Sequence, residues 1–454
     1  MNTTDTIAAI ATPPGEGGVG IVRVSGSKVW KIADQIFQTS ERPSKPKGGT
    51  FLHGRVIDAA GKEIDDALCL IFRAPHSYTG EDTIEIQGHG GAVVLKNILR
   101  RALEAGARMA EPGEFTKRAF LNGKMDLVQA EAVADLIHAR SDRAAQAALE
   151  QLEGSLSKEF NALTDGLIET AADLETTLDF VEDELPEDVF PTLGKKLDQS
   201  FQTLETLLGT WDEGRLLRDG ARVVIMGRPN AGKSTLFNAL LGADRAIVTD
   251  IAGTTRDVIE EGFVLDGIPL RILDTAGLRE AECEIEREGI RRAREHSAAA
   301  DIALYLIDSS QPVSPEDAEH LQKLEPSRTI VVLNKTDLKN ETFDFRLLTF
   351  DLIETSLLSG VGLAELRAAI SEKLGGISNT PAHAVISERH RDLLIAAREE
   401  LAAACEKLSG KEDETIAFAS EHLRSALEHL GQVTGRTYHD ELLDNIFSRF
   451  CIGK

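Results

Sequence analysis

The run Gly227, Arg228, Pro229, Asn230, Ala231, Gly232, Lys233, Ser234 is a glycine, four residues and then Gly-Lys-Ser, the spacing of a loop that cradles phosphates. Val223 to Met226 before it is a short apolar run and Thr235 to Leu241 after it reads as a helix, so the order is strand, loop, helix. In that order the loop amides and the helix N-terminus face the phosphates, Lys233 supplies a point charge and the Ser234 hydroxyl coordinates Mg2+. The ligand is therefore a nucleoside triphosphate. Asn334, Lys335, Thr336 and Asp337 follow the apolar run Ile330 to Leu333 and choose the base. The Asp337 carboxylate suits the two donors of guanine, N1–H and the 2-amino group. Adenine offers neither, and a site that demands a hydrogen bond discriminates by roughly 10^4 or more. Between these motifs Asp274, Thr275, Ala276 and Gly277 follow their own apolar run, Leu270 to Leu273. Three motifs in this order specify a GTPase. Thr355, Ser356, Leu357 and Leu358 stand where a further segment closes over the base through backbone amides, with Leu357 replacing the usual small alanine.

The elements that must hold these residues alternate in composition. Positions 1–121 are rich in glycine, proline and β-branched runs, such as Gly20 to Val24, Ala67 to Phe72 and Asp82 to Ile86, and read as an α+β domain. Positions 122–218 carry alanine, leucine and glutamate at helical spacing. The α/β strands of the GTPase occupy 219–378, and helical composition returns over 379–454. Neither helical stretch alone offers a closed set of apolar faces, so the expected architecture is one all-helical domain with a Ras-like P-loop domain inserted in it.

The chain has 454 residues, enough for about three domains. With 50 basic against 75 acidic residues its net charge is -25, which opposes general attraction to a nucleic-acid backbone. Any RNA contact must be local or supplied by a partner. Positions 171–190 hold eight carboxylates and no basic residue. The plain reading of that segment is a solvated helix end and loop; a docking surface for a basic partner is the sharper one. Cys69, Cys283, Cys405 and Cys451 are widely spaced and form no disulfide or zinc pattern, which fits a reducing cytosol. No apolar run approaches the roughly 18 residues of a membrane span, and no secretion signal is present at Met1 to Ile10, so a cytoplasmic protein without membrane association is expected.

Several stretches then resemble one family, the MnmE (TrmE) tRNA-modification GTPases. They are Asp5 to Pro14, Ser77 to Asp82, Gly88 to Gly91, Glu111 to Phe115, the GTPase motifs with Gly253 to Asp257, and Phe450 to Lys454. The resemblance covers the whole chain. It implies a folate-binding and dimerising N-terminal domain, a helical domain split by the GTPase, and a homodimer. It also implies a tRNA substrate, an aminomethyl-type modification at C5 of the wobble uridine, and an FAD-dependent MnmG (GidA) partner.

At the GTPase centre the position that carries a catalytic glutamine in Ras-like switches is Leu278, and Arg256 and Arg279 read equally as ordinary switch-region cations. The family's substitute is K+. The resemblance assigns Asn230, Thr249, Ile251 and Thr254 to that ion, and Ser234 with Thr255 to Mg2+. Asp250, Ala252 and Gly253 complete the loop expected to fold over the nucleotide. Without the family, Asn230 reads equally well as a loop residue bonding its own backbone. Glu286 is the water-orienting residue by family match alone, because Glu280, Glu282, Glu284, Glu286 and Glu288 alternate and spacing singles out none of them. For a reduced folate, 5-formyltetrahydrofolate or a related one-carbon form, the resemblance selects Arg23, Glu81, Lys124 and Lys454. Cations suit its glutamyl carboxylate and a carboxylate suits the pterin edge. Taken alone, Arg23 and Lys124 read as surface charges. Cys451, in the same terminal match, is expected to act in the modification; a free thiol packed at a helix end is the alternative. A ribosome-assembly GTPase and a regulatory switch without chemistry of its own are the competing functions. The first wants a basic RNA-binding appendage, which this composition lacks.

Overall fold

The computed structural model describes residues 5–178, 189–243, 262–273, 300–338, 349–375, 385–408 and 413–454. The N-terminal part is a sheet of β1 (Thr6–Ile10), β2 (Gly20–Gly26), β3 (Phe37–Gln38), β4 (Thr50–Ile57), β5 (Glu63–Phe72), β6 (Thr83–Gly88) and β7 (Arg108–Met109) in the order β3-β4-β5-β6-β2-β1-β7. All pairings are antiparallel except that of β1 with β7. Side chains alternate across a strand, and this alternation separates core from site. Val22, Val24, Ile84 and Ile86 pack into one core with α1 (Val29–Ile36) and α2 (Ala92–Glu104). Arg23 on β2 and its cross-strand partner Glu85 on β6 fall on the opposite face. That face is covered near β1 by α3 (Glu114–Leu121), whose Phe115 packs on Ile7 and Ala9.

The helical part begins with α4 (Leu127–His138), whose start is fixed by a capping box between Asp126 and Gln129. It continues through α5 (Asp142–Leu152), α6 (Ser155–Leu178), α7 (Val189–Gly209) and α8 (Trp211–Asp219). The nucleotide part then contributes β8 (Ala221–Gly227), α9 (Lys233–Ala243), β9 (Gly262–Leu265), β10 (Ile268–Leu273), β11 (Ile302–Asp308), α10 (Pro315–Leu321), β12 (Thr329–Asn334), β13 (Asp351–Glu354) and α11 (Leu363–Lys373). Its sheet order is β13-β12-β11-β8-β10-β9, parallel except for β9. The β9–β10 connection is Asp266-Gly267, with φ of 49 and 82, the paired positive angles of a two-residue hairpin turn.

The chain returns to the helical part as α12 (Glu388–Leu408), α13 (Asp413–Thr434) and α14 (Asp440–Ser448). Leu394, Ala397, Leu401 and Ala404 recur at three- and four-residue steps on α12, as do Leu423, Ala426 and Leu430 on α13. They close a single core with Leu156, Phe160, Leu163 and Leu167 of α6 and with leucines of α7, so residues on both sides of the nucleotide part build one bundle. A separate apolar cluster of Phe120, Leu127, Leu443, Phe447 and Phe450 fastens α14 to α3 and α4. The nucleotide part is tied to the bundle by Ser141 Oγ donating to Gly267 O at 2.6 Å and by the Arg215–Asp301 pair at 2.7 Å. Among the described residues no helix is long and apolar enough to cross a membrane.

Candidate functional site

β8 lies between β11 and β10, so the chain leaves the centre of the sheet toward one side and later toward the other. Loops at the carboxyl ends of such strands diverge and leave a crevice. Every described nucleotide motif stands on that edge: Gly227 ends β8, Asn334 ends β12, and Thr355 follows β13. The phosphate loop curls through positive φ at Gly227 (135), Asn230 (63) and Gly232 (107). A side chain at Gly232 would collide with the Asn334 amide, so glycine is required there by space as well as by φ. Lys233 opens α9, and its Nζ donates to the carbonyls of Gly227 at 2.7 Å and Arg228 at 2.9 Å. Burial pushes its pKa down. Ser234 and Thr235 are exposed on the first turn of α9.

Asn334 joins the two halves of the site. Buried itself, it donates from Nδ2 to Ala231 O at 2.8 Å and accepts at Oδ1 from the Leu357 amide at 3.3 Å. Thr336 donates from its amide and hydroxyl to Thr355 O at 3.2 and 3.0 Å, and Ser356 N–H bonds Val361 O at 3.0 Å. Lys335, at φ 62, pairs with Asp308 at 2.6 Å. Burial raises the Asp308 pKa, but bonds from Lys335 and Ser310 outweigh it and hold the carboxyl below its usual value. Asp337 sits in a short turn of 3-10 helix, Thr336–Leu338. Ser356 is buried, Leu357 half-buried and Leu358 exposed. Ala231 to Ser234, the tetrad and the Ser356 segment are thus brought together. The expected residues Thr249, Asp250, Ile251, Ala252, Gly253, Thr254, Thr255, Asp274, Thr275, Ala276, Gly277 and Glu286 lie outside the described residues.

A second constellation occupies the site face of the N-terminal sheet. Arg23 Nε pairs with Glu85 at 2.8 Å and its Nη1 donates to Gly453 O at 3.3 Å. Its guanidinium lies over the rings of Tyr78 and Phe115, 5.3 and 5.5 Å from their centroids. The terminal residues are strapped across the domain by a bridge between Ile452 and Pro112, by Gly113 N–H to Cys451 O at 3.4 Å and by Phe115 N–H to Lys454 O at 3.2 Å. Gly453 has φ 99, and a side chain there would strike the Ile10 carbonyl. Cys451 is exposed on this strap. Burial and then the Arg23 charge push the Lys454 amine down. Ser25, on the same face of β2 as Arg23, donates to Glu81 at 2.8 Å, and the Lys124 stem lies beside Gly80 while its Nζ donates to Pro75 O at 3.0 Å. Arg23 thus adjoins the terminal strap, Glu81 is tied through Ser25 to the same strand, Lys124 lies beside Gly80, and Arg23 is sheltered rather than a surface charge. Arg118, which meets Glu81 at 3.2 Å, escaped the sequence reading. Only its i,i+4 spacing from Glu114 on α3 could have drawn attention to it.

Residues 6–124 match the family model of the GTP-binding protein TrmE N-terminus, and residues 127–451 match that of the MnmE helical domain. The chain belongs to the MnmE family. The tRNA modification GTPase MnmE of Clostridioides difficile (strain 630) is 43% identical over 100% of both chains. The same-named proteins of Geotalea uraniireducens (strain Rf4), at 45% over 100% of both, and Aquifex aeolicus (strain VF5), at 43% over 99% of this chain and 100% of that one, are similarly alike. The chain also aligns with the G domain of the T. maritima FeoB iron transporter, at 26% identity and a TM-score of 0.25 over 34% of this chain and 98% of that one. MnmE membership makes this a GTP-binding hydrolase of tRNA modification.

Proposed function

We propose that the chain hydrolyses GTP in order to drive an aminomethyl-type modification, such as carboxymethylaminomethyl, at C5 of the wobble uridine of certain tRNAs, as a cytoplasmic homodimer working with an FAD-dependent MnmG partner. The observation that carries the GTPase half is Asn334, whose amide ties the phosphate loop at Ala231 to the base-side segment at Leu357, so that base recognition and phosphate binding move together. The phosphate loop fits its ligand, because a half-buried lysine and a glycine-rich turn converge on one helix start. Mg2+ would be held by Ser234 and Thr255. K+ would be held by Asn230, Thr249, Ile251 and Thr254, adding positive charge where Leu278 offers no amide. Glu286 would orient the attacking water.

In the N-terminal site, Arg23 and Lys454 are the cations suited to a glutamyl carboxylate, Glu81 is the acceptor suited to a pterin edge, and Lys124 borders it. A bound reduced folate supplies one-carbon chemistry there; the chain's part is to bind and orient it. The strap holds Cys451 exposed beside these groups, which supports a role for its thiol in the modification. In a strain carrying only Cys451→Ser, nucleoside analysis of tRNA should show the modified uridine lost or severely reduced while GTP hydrolysis by the purified variant stays normal. A normal level of modified uridine would reduce Cys451 to a packing residue.

A further inference from the structure

Beneath Glu81 lies an ionic network centred on Arg118. Its guanidinium, 5% exposed, donates through Nη2 to Asp5 at 2.5 Å and to Glu114 at 2.9 Å, and through Nη1 to the two oxygens of Glu81 at 3.2 and 3.3 Å. Arg108 bonds the same two acids, reaching Asp5 Oδ2 at 2.8 Å and Glu114 Oε1 and Oε2 at 2.6 and 3.1 Å, Oε1 being the oxygen that Arg118 also holds. Three carboxylates thus share two guanidinium groups. Asp5 and Glu114 are bound by both arginines, whereas Glu81 is bound by Arg118 alone and at longer distance. Ser25 Oγ adds a single bond to Glu81 Oε2 at 2.8 Å, which leaves Oε1 with acceptor capacity.

The same geometry fixes how Glu81 points. A guanidinium is a rigid planar fork, so anchoring Nη2 between Asp5 and Glu114 sets the position of Nη1. We propose that Arg118 is a positioning residue: it orients the Glu81 carboxylate so that its remaining acceptor capacity meets paired N–H donors on one edge of a heterocycle, the 2-amino and ring N–H of a reduced pterin. The inference rests on the folate reading given above and assigns to Arg118 the site's preference for the amino-bearing edge. Lysine at this position keeps the charge but loses the fork.

Calorimetric titration of the full chain with 5-formyltetrahydrofolate and with its 2-desamino counterpart tests this. The native chain should prefer the amino form by about tenfold or more, since an unpaired acceptor is left by the other ligand. Arg118→Lys should narrow that preference to about twofold, with the loss falling on the amino form, and adding Glu81→Gln should change little further. Should the lysine variant fail to fold, Asp5→Asn loosens the fork from its more exposed side and should lower the preference part of the way. Equal weakening of both ligands in either variant would show a merely structural role and overturn the assignment to Arg118. Failure of the native chain to bind either ligand would overturn the folate reading, and this inference with it.

Discussion

Specificity at the nucleotide site rests on single hydrogen-bonding groups. If Asp337 reads guanine as proposed, Asp337→Asn reverses one donor–acceptor pairing. GTP affinity should fall by about 10- to 100-fold while xanthosine triphosphate gains, read by titrating both nucleotides. Unchanged GTP binding would remove Asp337 from the base site. On the proposed reading, hydrolysis depends on a different set. Leu278 cannot orient a water, whereas Asn230 stands in the phosphate loop with an exposed side chain and φ 63. Replacing K+ with Na+ at constant ionic strength should therefore depress turnover by about 10-fold or more with GTP affinity nearly unchanged. Equal rates in the two salts would leave Asn230 a loop-shaping residue only.

Helix α4 carries a stability switch of its own. Burial pushes the Asp135 carboxyl up from 3.8 to about 7; Arg218 opposes this, and the charges of Glu131 and Asp219 add to it. Glu131, one turn away, goes the other way: burial raises it, but Arg389 and His390 outweigh burial and hold it well below its usual range. Asp135 thus binds its proton more tightly folded than unfolded. Its contribution to stability is full below about pH 4, is lost as the pH rises from about 4 to 7, and is constant above. Asp135→Asn mimics the protonated form. Variant and native chain should melt together at pH 4 and diverge as the pH rises, the variant being the more stable at pH 8. Contributions from groups that do not interact with Asp135 cancel in this comparison. Melting curves that stay parallel across the range would remove Asp135 as the source.

Among the described residues the three largest apolar cores are separate: one in the bundle, another under the nucleotide sheet, a third under the N-terminal sheet. Leu423 is fully buried in the bundle core between chain segments that flank the nucleotide part. Leu423→Ala should destabilise the bundle by about 2–5 kcal/mol. GTP affinity should change little, because none of the packing around β8 and α9 is touched. Denaturant unfolding followed by helicity, together with nucleotide titration, checks both halves. A parallel loss of GTP binding would mean that the parts unfold as one unit.

Sequence alone determined what local spacing can express. The phosphate loop needs its glycines and lysine within eight residues of each other, and the bundle helices show their buried faces as repeats of three and four. Strands such as β2 and β6 were legible for the same reason, since their runs of Val, Ile and Thr lie within a few residues. The tertiary structure decided whatever depends on register and chain return. Arg118 reaches Glu81 across 37 positions and Arg23 reaches Gly453 across 430, and neither spacing leaves a local pattern. The β2–β6 register places Arg23 opposite Glu85 on the face away from α1 and α2, and the packing of α14 on α3 and α4 brings the terminal strap to that face. A charged side chain carries no mark of its partner in its own neighbourhood; only the sheet that turns it inward and the chain that comes back to meet it make it part of a site.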